Sequence, residues 1–176
     1  KRQQVEAKEN SRKVIREVHD EYAKLTGRRY GDGFIDPYKA EDADAIIICM
    51  GSAAGTAKVA IDEIRREGLD VGLIRIRTFR PFPVEEISKA LEGKKVVAVM
   101  DRCISFGGLG GPVFMEVRAA LYDLEKKPLI VNYVYGLGGR DLTTGMVKHV
   151  AKELEEIAKQ KRIPREKLVR YLGLRE

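Results

Sequence analysis

From Ala43 onward, short unbroken apolar runs alternate with longer segments whose apolar residues recur every three to four positions. The run in ADAIIICMG has the length and continuity of a strand covered on both faces. SAAGTAKVAIDEIRREG follows, with Ala, Val and Ile on one helical face and Gly68 as its stop. LDVGLIRIRT predicts a second strand, PVEEISKALEG a helix and KKVVAVM a third strand. After a glycine-rich turn, PVFMEVRAALYDLE predicts a helix with Pro112 suited to its first position. PLIVNYVYG predicts a fourth strand, TTGMVKHVAKELEEIAKQ a long helix, and PREKLVRYLGL a final basic helix. Strand and helix alternating through short connections require right-handed crossovers. They predict a three-layer α/β/α domain with helices on both faces of a parallel sheet.

The first 42 residues follow another rhythm. Between residues 3 and 26, Val5, Val14, Ile15, Val18, Tyr22 and Leu25 fall at near-helical spacing, and Gly27 follows. This predicts an amphipathic helix whose apolar face is too thin for a core of its own, so it packs on a domain or a partner. Arg28 to Tyr38 carries Gly31, Gly33 and Pro37 and reads as a linker or crossing loop. The expected organisation is a helix and linker over 1–42, an α/β domain over 43–160 and a basic helix over 161–176.

Charge narrows the function classes. Lys and Arg total 33 against 27 Asp and Glu, a net charge of +6 spread over a surface rich in both signs, as thermophile surfaces often are. A one-sided basic stripe with interleaved aromatics is missing, so nucleic acid is not an expected partner. Cys49 and Cys103 are far apart and form no Cys-x-x-Cys pair, which leaves disulfide, zinc and iron–sulfur sites unsupported within this chain. His19 and His149 sit in separate helical patterns and make no metal-ligand set. No apolar run approaches the ~20 residues of a membrane span and no signal segment is present, so a cytoplasmic location without membrane contact is expected. Opening on Lys1, the chain reads as part of a longer polypeptide.

Candidate chemistry gathers where strands end, the edge at which open α/β sheets bind ligands. The first turn, GSAAGT, fits neither a P-loop nor a dinucleotide turn, and reads as Ser52 capping a helix with Gly55 permitting close helix–sheet packing. In RIRTFRPFP, Arg75 and Arg77 share a strand face and Arg80 follows in a proline-stiffened loop. These arginines suit either an anionic group or carboxylates across a subunit interface. MDRCISFGGLGGP places Arg102 and Cys103 before Gly107, Gly108, Gly110 and Gly111. An exposed Cys103 beside Arg102 could be an activated thiolate, but with no neighbouring His a buried or loop-packed thiol is expected. The glycines either cradle a phosphate or let a second backbone come close, with Phe106 and Leu109 as apolar contacts. YGLGGRDLTTG repeats the theme with Arg140, and Asp141 or Thr143 can cap the next helix. No acid–base pair or nucleophile–base pair accompanies any of these turns, so no catalytic residue is expected.

GSAAGT, LIRIRTFRPFP, VAVMDRCISFGGLGGPVFMEVRAALY and YVYGLGGRDLT, in this order, resemble the C-terminal region of the alpha subunit of pyruvate:ferredoxin oxidoreductases, core domain II. That resemblance implies a transketolase C-terminal-domain-like fold with a mostly parallel sheet, one edge strand of which can run antiparallel. It further implies a parent complex that oxidises a 2-oxoacid to an acyl-coenzyme A with thiamine diphosphate, Mg2+ and [4Fe-4S] clusters. The implied partners are beta, gamma and delta subunits, and ferredoxin accepts the electrons. The thiamine-contacting residues and cluster cysteines of the family lie outside the matching region, which implies an assembly domain that is inactive alone. The alternative reading is a small-ligand domain that holds coenzyme A or phosphate at its strand ends.

Overall fold

The structure, a computed structural model, describes residues 1–174. Helix α1 spans Arg2–Thr26 and strand β1 spans Ile35–Tyr38. The core follows as β2 (Ala45–Met50), α2 (Ala53–Arg66), β3 (Val71–Ile76), α3 (Val84–Leu91), β4 (Val96–Asp101), α4 (Pro112–Ala120), β5 (Leu129–Val134) and α5 (Thr144–Gln160). Strand β6, Val169–Tyr171, closes the described chain. The sheet order is β1-β3-β2-β4-β5-β6, with β1 antiparallel to β3 and every other pair parallel.

Two apolar cores follow from the two-residue period of the strands. Ile47, Cys49, Leu73, Ala98, Val131 and Tyr133 face α2 and α5. Ile46, Ile48, Ile74, Val97 and Val99 face the other way and meet α3 and α4. Because both faces are covered, Ile46, Ile47 and Ile48 are all fully buried, as the unbroken run predicts.

Two expectations are corrected. The Arg28–Tyr38 linker contributes β1, an edge strand in which Pro37, lacking an N–H, is tolerated because only one neighbour pairs there. The basic helix over 161–176 is replaced by a 3₁₀ turn at Arg165–Lys167 and strand β6, while Arg175 and Glu176 lie outside the described residues. The open edge of β5 explains the change: the Asn132 N–H donates to the Leu168 carbonyl and the Leu172 N–H to the Val134 carbonyl, both at 2.9 Å. Helix α1 packs on the domain through its cations as well as through Ile15 of its apolar stripe, which lies against Gly33. Arg12 and Arg16 lie over the buried Phe34 ring at 5.3 and 4.9 Å, and both pair with Glu86 of α3. Val14, Val18, Tyr22 and Leu25 remain exposed.

Candidate functional site

The glycine-rich turn after β4 is organised by a buried carboxylate. Asp101 is 2% exposed, at the first turn of α4. Its Oδ1 accepts from the Val113 N–H at 2.9 Å, and its Oδ2 accepts from the Phe114 N–H at 3.1 Å and from Asn132 Nδ2 at 2.9 Å. Asn132, fully buried, also donates to the Val99 carbonyl at 2.9 Å and accepts from the Gly111 N–H at 2.9 Å. Every buried polar group of the cluster is thereby matched, as a low-dielectric site requires. Burial pushes the Asp101 pKa up against the opposing pull of these hydrogen bonds.

This cluster accounts for two of the glycines. A Cβ on Gly111 would lie 2.2 Å from Asp101 Cγ, and one on Gly110 would lie 2.7 Å from Asn132 Oδ1. It also assigns the anion of α4: the protein's own carboxylate takes the donors that a phosphate would use, and Pro112 has none to offer. The outer loop is different. Ser105 and Gly110 bridge its base, Gly107 and Gly108 form its bend, and Phe106 stands 97% exposed at the tip with Leu109 beside it.

The arginines of the second strand are dispersed. Arg75 lies opposite Asp36 on β1 and beside Cys49 on β2, with its buried Nε unpartnered. Arg77 turns toward the linker and stacks over Tyr30 at 5.2 Å. Arg80 stacks on Phe79 at 4.1 Å and pairs with Glu116 of α4. Their shared strand face therefore does not become a shared site.

Arg102 and Arg140, from different turns, do converge. With Ser52, Thr56 and Tyr135 they line a cavity of about 150 Å³ beside the start of α2. Ser52 occupies the capping position without a capping bond, because its helical φ −70°, ψ −22° is not the extended conformation from which a cap reaches forward. Gly55 has open space where a Cβ would stand, so close helix–sheet packing does not require glycine there. At α5, Thr143 caps by accepting from the Met146 N–H at 3.2 Å.

Cys103 is exposed, which corrects the expected buried or loop-packed thiol. Burial and the nearby Asp101 charge raise its pKa, the opposite of thiolate activation. Burial pushes the Cys49 thiol up to about 12. Two such thiols do not fit a [4Fe-4S] cluster, which takes four thiolates. No group of three His, Cys, Asp or Glu side chains gathers as metal ligands among the described residues.

The family profile for pyruvate:ferredoxin oxidoreductase core domain II matches residues 43–147, the α/β core that carries these turns. The chain belongs to this family. It is 43% identical over 176 residues to the pyruvate synthase subunit PorA of Thermotoga maritima, covering 100% of this chain and 43% of that protein. It is 39% identical over 160 residues to the ketoisovalerate oxidoreductase subunit VorA of Pyrococcus abyssi, covering 91% of this chain and 40% of that protein. The chain thus spans under half the length of these relatives. A split-gene transketolase in its inactive beta4 tetramer superposes with a TM-score of 0.57 at 17% identity, covering 77% of this chain and 46% of that one, which supports the transketolase-like fold.

The sequence reading missed the Asp101–Asn132 pair and the place of Tyr135. One signal was available: Asn132 is the single polar residue in the apolar run LIVNYV, and a buried amide needs partners.

Proposed function

We propose that this chain is the core domain II of an oxidoreductase alpha subunit that acts on pyruvate, converting it to acetyl-coenzyme A with reduction of ferredoxin in a soluble cytoplasmic complex. Within that complex its part is assembly. The observation that carries the reading is the match to PorA along the whole chain. The geometry supports the assembly role, because Asp101 and Asn132 are spent on holding α4, whereas the fully projecting Phe106 and the neighbouring Leu109 have no intramolecular use. The beta, gamma and delta subunits are the proposed partners. Thiamine diphosphate, Mg2+ and the clusters belong to the rest of the complex, and no residue here is assigned to them.

The test is Phe106→Asp in the complete complex. Burying a Phe side chain contributes about 1.5–3 kcal/mol, so association weakens by about ten- to hundredfold. Pyruvate-dependent ferredoxin reduction per intact complex stays the same. Unchanged association together with lost turnover would place the loop in catalysis and overturn the assembly role.

A further inference from the structure

The cavity beside α2 has a polar lining that neither the fold nor the assembly reading employs. Its volume of about 150 Å³ is enough for one phosphate group. Arg102 and Arg140 against Asp141 leave the lining net positive, and the N-terminus of the 14-residue α2 adds the positive end of its dipole. The Ala54 and Gly55 amides are taken by the Gly51 and Ser52 carbonyls at 3.4 and 2.9 Å, whereas the Ser52 hydroxyl is not consumed in capping.

Two further observations point into the cavity. Tyr135 is only 6% exposed, and its hydroxyl, which lines the cavity, has no hydrogen-bond partner among the described residues. The ring is buried while the unpaired hydroxyl is left open to a ligand or water. The turn after β5 also makes room for the guanidinium groups. A Cβ on Gly136 would meet Arg102 Cγ and Nε at 3.1 Å, so the absence of a side chain there lets Arg102 lie against the turn, and Arg140 is held by the Gly173 carbonyl. We propose that this cavity binds a phosphate group, held by Arg102, Arg140 and the Tyr135 and Ser52 hydroxyls at the positive end of α2. A carboxylate, with two oxygens in one plane, is satisfied by a single bidentate arginine, whereas donors converging from several directions suit a four-oxygen anion. The proposal stands independently of the assembly reading.

Equilibrium dialysis of labelled inorganic phosphate against the full-length subunit in its complex tests it, with Arg102→Gln and the isosteric Tyr135→Phe as variants and Arg80→Gln as a control. Losing a hydrogen bond to a charged group, about 1.5–3 kcal/mol, predicts a ten- to hundredfold loss in Arg102→Gln. Tyr135→Phe loses about two- to tenfold and Arg80→Gln nothing. Competition by ADP at the same site identifies a phosphorylated metabolite as the source, and indifference to ADP identifies the free ion; either supports the site. Phosphate binding identical in wild type and Arg102→Gln, or equal competition by acetate, overturns it.

Discussion

Replacing Gly111 with Ala isolates the reason for glycine at the start of α4. Gly111 has φ −78°, which any residue adopts, so backbone strain contributes nothing. The new Cβ would stand 2.2 Å from Asp101 Cγ and 2.4 Å from its Oδ2, well inside the ~3.5 Å at which carbon atoms make contact. Asp101 cannot swing aside without surrendering the Val113 and Phe114 amides and the Asn132 amide. Overpacking costs about 1–3 kcal/mol, and a broken buried bond to a carboxylate about 1.5–3 kcal/mol more. The sum of about 2.5–6 kcal/mol is a large part of the 5–15 kcal/mol that holds an ordinary domain together. Guanidinium unfolding should show this as a lowered midpoint at unchanged m value, and melting as a fall of about 5–24 °C. In an Asp101→Gly background the same substitution should be milder by about 1–3 kcal/mol, because the Asp101 Cβ, 2.3 Å from the new Cβ, leaves together with the carboxylate. A loss below about 1 kcal/mol, or an equal loss in both backgrounds, would refute the steric account.

Gly55→Ala should stabilise by about 0.5–1 kcal/mol, since the helical position has open space and glycine only costs entropy there; an unchanged or lower unfolding midpoint contradicts this. Burial raises the folded pKa of Asp101, so its contribution to stability is complete below about pH 4 and is lost as pH rises through the raised value. The stability difference between wild type and Asp101→Asn, followed by chemical unfolding from pH 3.5 upward, should therefore move against wild type across that interval, and a slope of opposite sign would show that the hydrogen bonds outweigh burial. Iodoacetamide should alkylate exposed Cys103 more slowly than a free thiol at pH 7.5, and Cys49 only on unfolding; faster reaction at Cys103 would reveal an activating charge.

The central strands were legible because each is a continuous apolar run, and continuity is what a strand buried on both faces requires. β1 and β6 were not, for a physical reason: Ile35–Tyr38 and Val169–Tyr171 are too short for a period, and their conformation is decided by the neighbouring β3 and β5 edges. Thr143 was readable as a cap because it stands directly before a helical run, whereas Ser52 in the same kind of position has a helical backbone. Alternation placed Arg75 and Arg77 on one face but could not say that Tyr30 would draw one of them away. Nor could it join Arg102 to Arg140, which meet only because the turns after β4 and β5 are neighbours in the folded sheet.

The strand order has a consequence for synthesis. Beginning from β2, the chain lays β3 on one side and then β4, β5 and β6 outward on the other, so from β5 onward each strand leaving the ribosome pairs with the strand made just before it. A nascent domain of this kind never waits for a distant segment to seal that growing flank, and the hazard of an exposed sheet edge is brief. Growth then stops by design on both sides: Pro37 withholds a donor from β1, and β6 ends after three residues with charged Arg170 at its centre. A translation product that halts before Val169 would instead expose the β5 edge for good, and quality control would meet it as a sticky, unfinished sheet rather than as a slightly shortened protein.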